Sequence, residues 1–171
     1  MPKSSLLKLL SVFAAIAFIA GCGEDPPKGA AFSDNTPLMF KKDGSGLPAL
    51  GAGWAPEDKL VGSSGKEATL LFQAPKKGAR APVVVLTVTP FVAPPRLKNQ
   101  TVEATIAGTA VAKHVIDKPN SEIEIPLGEA KPGETVTITL KLPNAATPQS
   151  VGVNDDPRML ATALFSARLK Q

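Results

Sequence analysis

The one tryptophan of this 171-residue chain, Trp54, stands in the stretch GLPALGAGWAPEDKLVGSSG among glycines, prolines and the acidic pair Glu57 and Asp58. An indole face with a few polar groups beside it is the chemistry by which a sandwich protein holds a sugar ring. An indole can equally cover one end of a fold beneath a glycine-rich loop and place its N–H on a carbonyl. The chain has no tyrosine, and beyond residue 22 only Phe32, Phe40, Phe72, Phe91 and Phe165 add aromatic surface, so packing is the leading expectation for Trp54.

A second group is Asn154-Asp155-Asp156-Pro157-Arg158. Carboxylate and amide oxygens suit calcium, but adjacent acids before a proline are also turn chemistry, and Arg158 can neutralise Asp156 through a bidentate pair. The spaced ligands of a calcium loop are missing, so no metal is expected. His114 is the only histidine and Cys22 the only cysteine, which excludes the usual zinc sets. Gly62-Ser63-Ser64-Gly65 lacks the Gly-x-Ser-x-Gly spacing that presents a nucleophilic serine. Glu57, Asp58, Asp155 and Asp156 supply acids for a glycosidase pair, although nothing else supports hydrolysis. The expectation is a protein without catalytic residues or cofactor, in which Trp54, Glu57, Asp155, Asp156 and Arg158 are the candidate ligand-binding residues, and His114 lies in a strand facing solvent.

The N-terminus carries Lys3 and Lys8, an apolar run from Leu9 to Ala20, and then Cys22. That run is too short to span a bilayer, which takes about 20 apolar residues, and fits the core of a secretion signal. A lone thiol in an oxidising, exported compartment invites modification. The sequence Ile19-Ala20-Gly21-Cys22 resembles the bacterial lipoprotein signal, which implies cleavage before Cys22 and lipid on its sulfur; Gly23 after it implies an outer-membrane address. Residues 1–21 are therefore read as signal peptide and residues 22–35, rich in glycine, proline and polar groups, as a lipidated cysteine and flexible tether.

Beyond Lys3 and Lys8, 17 basic residues face 15 acidic ones with no block of like charge, which argues against a nucleic-acid partner. Residues 36–171 suffice for one domain with a sizeable core. Val136, Ile138, Leu140 and Leu142 alternate with Thr135, Thr137, Thr139 and Lys141, the period-two pattern of a strand with one buried face. Residues 101–106 and 121–125 repeat it, 67–73 does so less cleanly, and 82–88 and 160–169 are apolar on both faces, as in covered strands. With residues 36–40, a short piece around Leu60 and residues 109–116, about nine strands are expected. Prolines fall between them, and no stretch has capped helical periodicity. The fold class is all-β: a single β-sandwich, jelly-roll-like.

Three stretches, LGAGW-APE with SSGKEATL, PFVAPPRLKNQTVEATIAGTAV, and ATPQSVGVNDDPRMLATALFSARL, together resemble the β-sandwich accessory domain appended to bacterial membrane glycosyltransferases and phosphoglycerol transferases. The matching positions are Leu50, Gly51, Gly53, Trp54, Pro56, Glu57, Pro90, Phe91, Pro148, Gly152, Asp156, Arg158 and Leu160. The resemblance implies a non-catalytic module that recognises carbohydrate or assists assembly. That family carries further aromatics after the Pro-Glu step, where Asp58 to Ser64 has none. The expected function is a lipid-anchored protein of the outer membrane, facing the periplasm, that recognises a glycan or a glycan-building partner; the alternative is an assembly protein holding another envelope protein by strand edges and loops.

Overall fold

The computed structural model describes residues 28–33, 36–75 and 82–170. The expected signal peptide, the expected lipid site at Cys22 and the first part of the tether lie outside the described residues. Within them the chain forms ten strands: β1 (Leu38–Met39), β2 (Trp54–Pro56), β3 (Val61–Ser63), β4 (Glu67–Gln73), β5 (Val83–Pro90), β6 (Gln100–Ile106), β7 (Thr109–Ile116), β8 (Ser121–Pro126), β9 (Thr135–Lys141) and β10 (Thr162–Lys170). A single 3-10 turn, Leu47–Ala49, interrupts them. The piece expected around Leu60 is a hairpin of two short strands, β2 and β3, closed by the main-chain bond from Glu57 N to Leu60 O at 2.8 Å.

Two sheets stack as a jelly-roll-like sandwich. One runs β2-β3-β10-β5-β8, with β1 also on β10, and the other runs β4-β9-β6-β7. Every pairing between these strands is antiparallel. A register shift in β10 between Leu164 and Ser166 lets one margin of that strand serve two partners. Ala163 and Leu164 pair with β3, and Ser166 and Ala167 pair with β1.

The period-two pattern decides the faces, because successive side chains point to opposite sides of a strand. Leu70 and Phe72, Val84, Leu86 and Val88, Val102 and Ala104, Ile123 and Ile125, Val136, Ile138 and Leu140, and Leu164 are all buried in the one core cluster between the sheets. At roughly 25 cal/mol per Å² of apolar surface removed from water, this core is the main favourable contribution to folding. The outer face of the second sheet is polar and ordered in rows. Glu67, Lys141, Glu103 and Lys113 stand opposite one another on β4, β9, β6 and β7, alternating in sign across the sheet. A one-residue slip would turn this row into the core, so it reinforces the register set by the apolar face.

The expected tether does not run free to residue 35. Gly29 and Ala30 are buried, and Ala30 lies parallel to β4 opposite Phe72. Ala30 N donates to Leu71 O at 3.0 Å, Gln73 N to Ala30 O at 2.9 Å, and Gln73 Nε2 to Gly29 O at 2.9 Å. Phe32 stacks on Phe72 with ring centroids 5.0 Å apart. Composition suggested flexibility; the open margin of β4 supplied partners for the backbone, and a ring to stack on.

Candidate functional site

The segment Leu50–Trp54 passes from one sheet to the other. Leu50 bridges Leu70 on β4, Gly51 N donates to Thr69 O at 3.0 Å, and Thr69 N donates to Ala52 O at 2.9 Å. The chain then enters β2 of the opposite sheet at Trp54. The glycines here answer a need for close approach: a Cβ on Gly51 would stand 2.1 Å from Thr69 Oγ1, and one on Gly53 2.2 Å from Glu67 O. Gly53 also holds φ at +82°, a conformation that side-chain-bearing residues avoid. Trp54 is half-buried, packs on the core, and donates from Nε1 to Thr69 O at 2.8 Å. The LGAGW stretch thus closes the margin of β4 and seats an indole there.

Glu57 follows β2 directly, and Arg158 lies in the loop before β10. The guanidinium joins them across 101 residues of sequence, with Arg158 Nη1 3.2 Å from Glu57 Oε1. On its other side it grips Asp156, with Nη2 2.7 Å from Oδ2 and Nε 3.0 Å from the same oxygen. Asp156 Oδ1 also accepts Arg158 N at 2.9 Å, while Asp156 N donates to Asn154 Oδ1 at 2.9 Å, an Asx turn. The side chain of Arg158 hydrogen-bonds Asp156 and holds its carboxyl below the ordinary aspartate value; the same pairing raises the guanidinium.

Three of the five expected ligand-binding residues, Glu57, Asp156 and Arg158, are therefore assembled into one carboxylate–guanidinium–carboxylate group. Trp54 shares the β2 strand with this group but turns its N–H to β4. Asp155 is exposed and joins no ion pair among the described residues. Asp156 is committed on both oxygens and kept ionised, which suits it to orienting Arg158 and not to donating a proton. Among the described residues, no group of three or more His, Cys, Asp and Glu side chains is placed to hold a metal ion.

Two other groups have structural duties. Ser63 is buried, and its Oγ accepts the main-chain N–H groups of Ala161 and Thr162, each at 3.0 Å, tying the start of β10 to β3. A serine in a Gly-Ser stretch reads as turn chemistry, and nothing in its sequence neighbourhood signals this role. His114 lies in a strand as expected, but its exposure to solvent is only partial. It is half-buried on β7, and its Nε2 bonds the Glu124 carbonyl on β8 at 2.9 Å. Since a carbonyl only accepts, Nε2 carries the proton, and the imidazole links the two sheets along their margin.

No protein-family model matches this chain, and no curated protein matches it. Solved structures do resemble it. It is similar to the CBM36-1 domain of a multidomain xylanase from the hindgut metagenome of Trinervitermes trinervoides, at 12% identity over 65% of this chain and 77% of that one, with a TM-score of 0.38. A carbohydrate-binding module CBM36 in complex with calcium and xylotriose is similar at 12% identity over 71% of this chain and 92% of that one, with a TM-score of 0.39. A family 43 arabinoxylan arabinofuranohydrolase from Bacillus subtilis, in complex with cellotetraose, is similar at 10% identity over 66% of this chain and 21% of its own length, with a TM-score of 0.36.

Proposed function

We propose that this chain is a non-enzymatic lipoprotein of the bacterial envelope, anchored by lipid on Cys22 and presenting a β-sandwich that recognises a glycan or a glycan-assembly partner. The observation that carries the recognition half is the convergence of Glu57, Asp156 and Arg158 on one exposed group beside the strand that holds Trp54. Arg158 is 61% and Glu57 49% exposed at the side chain. A guanidinium held in place by two carboxylates offers its remaining N–H groups to ring hydroxyls at little further entropic cost. Asp155, unpaired and adjacent, adds an acceptor. The resemblance of the same segments to the accessory domain of envelope glycosyltransferases supports this chemistry, and the signal ending in Ile19-Ala20-Gly21-Cys22 supports the anchor. Gly23 supports outer-membrane placement on the same reading, and a domain facing the periplasm is part of the proposal.

The test is a titration of residues 28–171 with envelope oligosaccharides, followed by calorimetry and by emission of Trp54. Saturable binding that weakens at least tenfold in Arg158→Ala and in Asp155→Ala, with the fold intact, is expected, about 1.4 kcal/mol each. Binding unchanged in both variants would remove this group from the site. The second reading, an assembly protein, draws on the margin of β7: among the described residues this strand pairs with β6 alone, and its Val115 is 62% exposed. A stoichiometric protein partner recovered from solubilised envelopes, together with no glycan response, would make that reading primary.

A further inference from the structure

We infer that the end of the sandwich carrying Gly29 and Ala30 is held close to a lipid surface, so that the opposite end, with the loops 91–99 and 142–161, projects away from it. The inference rests on the proposed acylation of Cys22 and adds to it an orientation that neither the signal nor the composition contains.

Gly29 and Ala30 are fixed on β4 by three hydrogen bonds and a backbone bridge to Phe72. Six residues, Gly23 to Lys28, lie between this fixed point and Cys22. Fully extended, the seven steps from Cys22 to Gly29 reach at most about 25 Å. The fixed point lies at the C-terminal end of β4. The same end holds the turn before β9, where Gly133 N donates to Ala74 O and Ala74 N to Glu134 O. Lys131, exposed in that turn, marks the lipid-proximal end.

The other end begins where β4 begins. Leu142 N bonds Lys66 O there, and Gln100 opens β6 while its Nε2 reaches Phe91 O. The loop from Leu142 to Ala161, with Val153 55% exposed, extends from this end. A nine-residue strand such as β10 spans roughly 30 Å, so the two ends lie farther apart than the whole reach of the tether. A tether running free through residue 35 would leave the near end undetermined; docking at Gly29 makes the C-terminal end of β4 the end nearest the anchor.

The test uses the full chain, processed in a bacterial envelope and returned to vesicles of phosphatidylethanolamine and phosphatidylglycerol carrying an acceptor-labelled lipid. Lys131→Cys and Val153→Cys each receive one donor dye, and the parent protein should take none, because an acylated Cys22 has no free thiol. Energy transfer severalfold stronger from position 131 than from 153 is expected, with the gap largely abolished when a Gly-Ser segment of about 20 residues is inserted between Lys28 and Gly29. Equal transfer from the two positions, in protein whose N-terminal peptide carries acyl mass on Cys22, would overturn the orientation and leave the anchor standing. A peptide without acyl mass would overturn both.

Discussion

Trp54 bears two relations at once, half-buried on the core and hydrogen-bonded to Thr69 O, and substitutions separate them. Trp54→Phe removes the donor and the smaller part of the packed ring; Thr69 O keeps its bond from Gly51 N, so the expected loss is about 1 kcal/mol by chemical denaturation. Trp54→Ala also removes the packed surface and should cost about 2–3 kcal/mol, less than a fully buried ring because the indole is partly open. Ser63→Ala leaves the Ala161 and Thr162 N–H groups without their acceptor beneath the surface. Its expected cost of about 1–3 kcal/mol exceeds that of Trp54→Phe, an inversion of what residue size suggests. Gly53→Ala meets Glu67 O and a φ of +82° together, so it should cost about 2 kcal/mol or more, read in the same melts.

At the scale of the strand and loop, charge pairs link strands on both outer faces. Arg168 and Glu122 are 3.0 Å apart and Lys170 and Glu124 2.7 Å apart, spanning β10 to β8 across β5. Lys113 and Glu103 are 2.9 Å apart on β7 and β6. Hydrogen bonds from Lys113, Lys170 and Arg158 lower the carboxyls of Glu103, Glu124 and Asp156 respectively. A carboxylate lowered in the fold contributes stability above its unfolded value, and that contribution fades as pH falls through the lowered one. The midpoint of urea unfolding should therefore decline below about pH 4 and decline less in high salt, since these pairs are exposed and screened. The strands themselves were legible because alternation records burial directly: β9 and β6 match the pattern to within a residue. The β2–β3 hairpin was not, because three-residue strands carry too few alternations, and the pairing of Glu57 with Arg158 was not, because it depends on a loop geometry 101 residues away. The candidate residues could be named from their types; their assembly could not.

The whole molecule is one core sealed at its margins by short devices: residues 28–33 and Leu50–Ala52 on β4, and the His114–Glu124 bond between β7 and β8. Removing residues 28–33 should lower stability by about 2 kcal/mol, because burial of Ala30 and the Phe32–Phe72 stack are lost along with the hydrogen bonds to β4. Sequence composition placed these residues in a tether because glycine and proline are frequent there; the available margin of β4, a property of the completed sheet, decides otherwise. The proposed localisation and orientation both depend on the sulfur of Cys22, and the most direct measurement is the mass of the N-terminal peptide from protein extracted out of bacterial envelopes. The expected peptide begins at Cys22 and is heavier by the mass of attached acyl chains, a mass absent in Cys22→Ser. A peptide of unmodified mass, or one beginning elsewhere, would contradict the proposed anchor.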